Sequence, residues 1–510
     1  MKKKILSILM AMISIVSVGL YGCSVGETAG EIPPPPDYSD SNLQFDFYGY
    51  SALIDGWNID GVSYDSEEDY LSVKRIKEYK DAGMTIYFPQ SAAAVTQSAA
   101  NDWENSEAKK ALDYSLEAGI DKVILMDPRI QGLSKPAKEN AVGLIGEGKQ
   151  FATEADLDAT IAEYMAPYKD HPAFYGVMLG DEPFYYHVEN YGQVYRSIKR
   201  VCPEAFIQYN LNPITAGSDP VRRAERFPAL TAEEKAGSED ELILAYRKYL
   251  RQFMDATGAD YVQYDQYPFR HSEKLDEYFV LGLQVVADIA KEYDAKFYFV
   301  TQTYGQTDGV SNPRMLSAED LYWTNNMLLG FGIKQISYFT YFTKADNNSE
   351  HFIDGNSFIT WHGKKTDIYY WMQQIMAEEQ KFAPTILNFE YVTSKLYAQT
   401  PTSYPSKLEL HTYETIDFTA LKSAEINKEV GLVTELYDAT KGNYLYMVQN
   451  VVDPDFAGSK AYQTTVLTFD SQYKYAALYV KGERTCVRLE EGGKLTLKHK
   501  PGEATYVLPY

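Results

Sequence analysis

An α/β fold, a (β/α)8 barrel followed by a C-terminal all-β sandwich, is what this sequence predicts, and three observations predict it. Strand-like and helical runs alternate between Phe47 and Glu379, which implies right-handed crossovers and a parallel sheet. There are eight of each, at the spacing that a closed barrel requires. Past about Asn388 the helical period disappears and short alternating runs take over.

Each barrel element has its own signal. Phe47 to Ile54 reads as the first strand and the amphipathic run Asp69 to Ala82, closed by Gly83, as its helix. Met84 to Phe88 is the second strand, followed by the helical run Ser106 to Ala118 and Gly119. Asp121 to Met126, with the helix Glu154 to Tyr168, precedes the fourth strand, Phe174 to Gly180. The pairs then continue: helix Tyr191 to Val201, strand Ala205 to Leu211, helix Glu239 to Thr257, strand Asp260 to Tyr264, helix Leu275 to Tyr293 and strand Lys296 to Thr301. Helix Ala318 to Leu329, strand Gln335 to Thr340 and helix Ile368 to Glu379 close the set. The sandwich strands are Val430 to Leu436, Asn443 to Asn450, Thr464 to Phe469, Ala476 to Val480, Lys494 to Leu497 and Ala504 to Leu508, with turn signals such as Glu491-Gly492-Gly493 between them.

The start of the chain reads differently. Lys2 to Lys4 and the apolar run Ile5 to Leu20 have the form of an export signal over residues 1–22. Leu20-Tyr21-Gly22-Cys23 then resembles a bacterial lipobox, which implies a lipid anchor on Cys23 and a place on the extracytoplasmic side of the cell envelope. Residues 23–44, with Pro33 to Pro36, read as a stiff tether, ahead of a barrel over 45–387 and a sandwich over 388–510. A net charge of -23 argues against a nucleic-acid partner. The 44 tyrosines suit contact with sugars by stacking and hydrogen bonding together.

The stretch that carries the chemistry is Gly176-Val177-Met178-Leu179-Gly180-Asp181-Glu182-Pro183. A strand's side chains alternate, so Tyr175, Val177 and Leu179 are expected to face helices, and Gly176, Met178, Gly180 and Glu182 the barrel axis. Pro183 ends the strand. The other strand ends supply Asp127, Arg129, Asn210, Asn212, Asp265, Tyr267, Gln302, Tyr304 and Tyr341, with Trp57 just past the first strand. Such a ring of carboxylates, amides and phenols suits a polyhydroxylated substrate, an oligo- or polysaccharide. No metal is expected, since no two of the seven histidines are spaced as ligands, and no cofactor is implied. Gly143 to Gln150 nearly matches a phosphate-binding loop, but Gln150 replaces the hydroxyl that holds Mg²⁺ and no strand precedes it.

Within such an architecture the Gly176 to Pro183 motif resembles the glycoside hydrolases of clan GH-A, whose fourth strand ends in Asn-Glu-Pro with the Glu as acid/base. The resemblance assigns that role to Glu182. Two departures matter: Asp181 stands where that Asn belongs, and the seventh strand offers Gln302 where those enzymes carry a nucleophile. Three readings follow. In one the Asp181-Glu182 pair is similar to that of barrel hexosaminidases, in which the Asp orients the substrate's own acetamido group; this needs a bulge or bend at Gly180 to turn both acids inward. In another Asp265 is the second carboxylate. In the last the barrel binds glycan without cleaving it.

Overall fold

Polar caps punctuate the alternation. Ser72, Ser106, Thr153 and Ser317 each accept a hydrogen bond from a backbone N–H in the first turn of the helix that follows, satisfying donors that the helix cannot. Gly119 and Gly258 end two helices in the left-handed conformation.

The computed structural model describes residues 31–50, 58–59, 62–63, 71–237, 239–270, 275–305, 313–343, 357–360, 363–397, 410–412, 416–427, 430–457 and 462–510. Cys23, Trp57 and the segment 1–22 lie outside them. In chain order come β1 (Asp46–Gly49), the short pair β2 (Asn58–Ile59) and β3 (Val62–Ser63), α1 (Val73–Asp81), α2 (Gln97–Asn101), α3 (Glu107–Ala118), β4 (Val123–Met126), α4 (Pro128–Ser134), α5 (Glu154–Met165) and β5 (Phe174–Asp181). Then follow α6 (Val188–Val201), β6 (Phe206–Asn210), α7 (Pro220–Arg226), α8 (Glu241–Thr257), β7 (Tyr261–Asp265), α9 (Phe279–Glu292), β8 (Lys296–Gln302), α10 (Ala318–Gly330), β9 (Gln335–Phe339) and α11 (Asp367–Ile386).

This part is mixed α/β with parallel strands, in the orders β1-β9-β8-β7 and β4-β5-β6. The two sheets meet at both edges. Leu211 N–H donates to Gln263 O at 3.0 Å, joining β6 to β7. On the other side the segment 84–88 lies between β1 and β4: Thr85 N–H donates to Phe47 O at 2.9 Å, and Tyr87 N–H to Lys122 O at 2.8 Å. That segment is the expected second strand; it makes these bonds with one isolated bridge, Tyr87 to Val123, rather than a full ladder. Tyr48, Tyr50, Ile86, Phe88, Ile124, Met178 and Val300 form a cluster of their own, apart from the main core that Val177 and Leu179 join beneath the helices. Polar groups thread it: Tyr48 Oη donates to Gln263 Oε1 at 3.2 Å and Gln208 Nε2 to Tyr50 Oη at 2.6 Å.

The C-terminal part is antiparallel. Strands β10 (Glu390–Tyr397), β11 (Leu421–Asn427), β12 (Gly431–Asp438), β13 (Asn443–Asn450), β14 (Gln463–Phe469), β15 (Tyr475–Val480), β16 (Glu483–Arg488), β17 (Lys494–His499) and β18 (Ala504–Pro509) form a six-stranded sheet, β10-β12-β13-β18-β15-β16, and a three-stranded one, β11-β14-β17. Leu421, Ile426, Val433, Val448, Leu467, Phe469, Leu495 and Val507 of the two sheets share one core. Leu432, Leu436, Met447, Tyr506 and Leu508 join the main core with α10 and α11.

One boundary moves. Tyr38, within the stretch 23–44 expected as a stiff tether, is buried: its hydroxyl donates to Asp438 Oδ2 at 2.8 Å and its ring lies 5.5 Å from Phe389. An aromatic ring with a polar tip finds both partners here, so the docked chain starts near Asp37.

Candidate active site

Two bulges shape β5. Opposite β4 the register passes from Val123↔Phe174 to Ile124↔Gly176, and opposite β6 from Met178↔Gln208 to Gly180↔Tyr209. Each extra residue reverses the facing of everything beyond it. Gly180, expected to face inward, instead faces α6: with φ +153, a Cβ there would lie 2.1 Å from Tyr191 Oη. Asp181 takes the inward position, where Asn210 Nδ2 donates to its Oδ1 at 3.1 Å. Glu182 then leaves the strand at φ +43 with its N–H bonded to Asn210 O at 2.7 Å. Left-handed backbone on a bulky residue is costly, and the bonds around Glu182 hold it there.

Asp265, at the tip of β7, joins this pair. It is 9% exposed, and its pKa is pushed well above the usual carboxylate range by burial and by the charges of Glu182 and Asp181, against hydrogen bonding from Asn210 and Tyr267. Glu182 is raised too, by burial and then by Asp181, with Arg226 and Lys135 pulling it down. Asp181 is raised by loss of hydration, opposed by Asn210 and Lys135. Its side chain reaches solvent, but the protein atoms packed around it leave the charge poorly hydrated.

A brace positions Glu182. Arg226 Nη1 lies 3.3 Å from Glu182 Oε2 and donates to Asn212 Oδ1 at 2.7 Å, while its guanidinium sits 4.4 Å from the Phe184 ring centre. Asn212 Nδ2 and Tyr249 Oη both donate to Pro183 O at 2.7 Å. Asn212, fully buried, is thus a brace rather than a group that meets a substrate hydroxyl. Lys135 Nζ donates to Asp181 O. Beside the acids, Tyr267 stacks on Phe339 with centroids 5.7 Å apart, and Tyr304 meets Phe339 edge-on at 5.3 Å. Tyr50 packs 5.9 Å from the same ring, and its pKa is raised by burial, then by Tyr48, Asp181 and Asp265.

Three expected site residues are used elsewhere. Gln302 spends its amide on backbone, accepting from Phe269 N–H and donating to the carbonyls of Phe269, Tyr304 and Arg314; it clamps loops. Asp127 is fully buried, caps α4 and holds Arg129 through two side-chain bonds of 3.0 and 2.7 Å, with Tyr168 Oη at 3.0 Å. Tyr341 is buried against Tyr79, 4.6 Å between centroids, behind the strands. His187 is buried as well, bonded to Phe184 N–H and Pro136 O. Tyr50 had a sequence signal, being two residues past the buried Tyr48 on one strand face. Arg226 had none, because a short charged run in a long excursion reads as a solvated helix. Among the described residues no group of three or more His, Cys, Asp or Glu is placed to hold a metal ion.

No family model matches the chain, and no curated protein matches it. Solved structures do. A glycoside hydrolase superposes with a TM-score of 0.50 at 9% identity, over 92% of this chain and 92% of its own. A glycoside hydrolase family 5 protein from Bacteroides vulgatus gives 0.48 at 10%, over 92% and 88%. A family 30 subfamily 8 xylanase from Clostridium acetobutylicum gives 0.38 at 10%, over 92% and 97%. The first likeness shows a shared fold and no more; the other two carry no argument.

Proposed function

We propose that this chain is a glycoside hydrolase whose eight parallel segments close into a (β/α)8 barrel, residues 45–387, packed on a β-sandwich, residues 388–510. The unbroken run of hydrogen bonds from each parallel segment to the next supports the barrel, and the fold it shares with a solved glycoside hydrolase supports the class. The observation that carries the reaction is the meeting of Asp181, Glu182 and Asp265 in one recess, each raised by burial. Glycoside cleavage needs a proton donor on the leaving oxygen and a carboxylate to assist the developing cation. Glu182 is the acid/base: its side chain is 35% exposed, and its raised pKa keeps a proton available. Asp181 is the better-placed assisting group, since it is open to solvent and fixed by Asn210. A second reading gives that role to Asp265, whose Oδ1 is buried without a partner. Asn210, Tyr267 and Tyr304 hold sugar hydroxyls.

The test is release of 4-nitrophenol from aryl glycosides, 2-acetamido and plain hexosides in both anomers. Glu182→Gln lowers kcat on a cleaved substrate by roughly 10²–10⁴-fold; cleavage unchanged in that variant removes Glu182 from the mechanism. Near-complete loss in Asp181→Asn with activity kept in Asp265→Asn selects the first reading, and the reverse selects the second. The signal-like start of the chain and its lipobox support a lipid anchor at Cys23, which holds the protein outside a bacterial cell; Cys23→Ala then abolishes incorporation of labelled fatty acid.

A further inference from the structure

Arg226 is fixed by groups other than the acid beside it. Its Nη1 makes the 2.7 Å bond to Asn212 Oδ1 as well as the longer, 3.3 Å contact with Glu182 Oε2, and Phe184 supports the guanidinium face. Among the described residues Nε and Nη2 make no hydrogen bond, and 30% of the side chain is exposed. One edge of the planar fork is therefore held in place, unengaged and open to solvent beside the proposed proton donor. That edge matches an oxyanion with two parallel N–H···O bonds. Lys135, bonded to Asp181 O, is a second cation whose charge reaches Glu182, although the chain as a whole carries a net charge of -23.

We propose that Arg226 sets specificity and that the substrate is an acidic glycoside, whose carboxylate or sulfate group is taken by the Nε–Nη2 edge. This rests on the glycosidase reading and holds for either assisting carboxylate. Arg226 as it stands works against the general acid, because a guanidinium beside Glu182 favours the ionised form. An anion on the open edge balances that charge and lets Glu182 keep the proton it must donate. Binding of the correct sugar and readiness of the acid are thus one event. The groups facing Glu182 that set its titration are Asp181, Asp265, Arg226 and Lys135.

Matched probes test this in the full protein: 4-nitrophenyl uronides, their methyl esters, the neutral hexosides and a 6-sulfated galactoside, in both anomers, with Arg226→Gln and Arg226→Lys. The uronide or the sulfated sugar is expected to exceed its uncharged counterpart in kcat/KM by roughly tenfold to a hundredfold, and whichever anion is preferred names its source. Arg226→Gln erases that ratio, and Arg226→Lys, which keeps charge but not the fork, restores part of it. In Arg226→Gln the alkaline limb of the pH profile on neutral substrate moves upward, which loss of packing alone does not produce. Faster cleavage of neutral sugars, lost equally with charged ones in Arg226→Gln, overturns the proposal and leaves the glycosidase reading intact. If no aryl glycoside is cleaved, the glycosidase reading is what fails. Calorimetry with free glucuronate and galactose 6-sulfate then decides the anion site: binding lost in Arg226→Gln supports it, and no binding to the parent overturns it.

Discussion

Two arginines in this molecule lie beside clustered acids, and they meet them differently. Arg314 is 7% exposed and grips Asp320 through two bonds of 2.6 and 2.9 Å, with Asp453 at 2.8 Å and Asp455 at 2.9 Å. It sits on the Phe269 ring and ties the start of α10 to the turn after β13. Both of its terminal nitrogens, Nη1 and Nη2, are engaged. Arg226 also lies on a ring, yet meets a single acid, Glu182, through one nitrogen. The first arrangement balances buried charge and so holds two parts of the fold together. The second leaves three carboxyls competing for protons in a recess, a state that stability does not favour and that proton transfer needs.

Substitutions break or sharpen this contrast. The largest effect is expected from Arg314→Met, which strands buried acids without their cation and costs about 3–5 kcal/mol, measured as a lowered urea midpoint; a loss below about 1 kcal/mol would show that the cluster is not a clamp. Gly180→Ala meets Tyr191 Oη and an unfavourable φ. It is expected to cost about 1–3 kcal/mol and to depress activity by displacing Asp181 and Glu182. Tyr191→Phe, in a double-mutant cycle, recovers the steric part.

The smallest effect comes from an acid with no arginine at all. Glu379, on α11, is 6% exposed with neither carboxyl oxygen bonded, and burial, then Glu378, raises its pKa well above the usual range. Tyr322, Tyr338, Tyr506 and Lys481 lie around it. A raised folded-state pKa contributes stability that is whole below the unfolded value and is lost as pH rises through the folded one. The parent is therefore expected to lose up to about 1.4 kcal/mol per pH unit over that window, and Glu379→Gln to flatten the slope. An unchanged slope in the variant removes Glu379 as its cause.

The elements were legible because their signals are local. The helix predicted over Ser106 to Ala118 is observed over Glu107–Ala118, and the strand Asn443 to Asn450 keeps both ends. β10, β11 and β16 are absent from the predicted strands; β16 is an edge strand whose residues are exposed or half-buried, so no apolar alternation marks it. At the site, Asp181, Glu182, Asp265, Asn210 and Tyr267 come together, but not by the predicted parity, since a bulge depends on partners in other strands. Gln302 and Asp127 carry the right chemistry for a sugar and spend it on backbone and on Arg129. Residue type at a strand tip does not say which way a side chain turns.

The docking of Tyr38 has a topographic consequence. It fixes the incoming chain beside Phe389, just past the end of α11, and from there the chain enters β1 at Asp46. Chain entry and acids are thus held at opposite ends of the parallel strands, so the contacts that fix the one do not crowd the other.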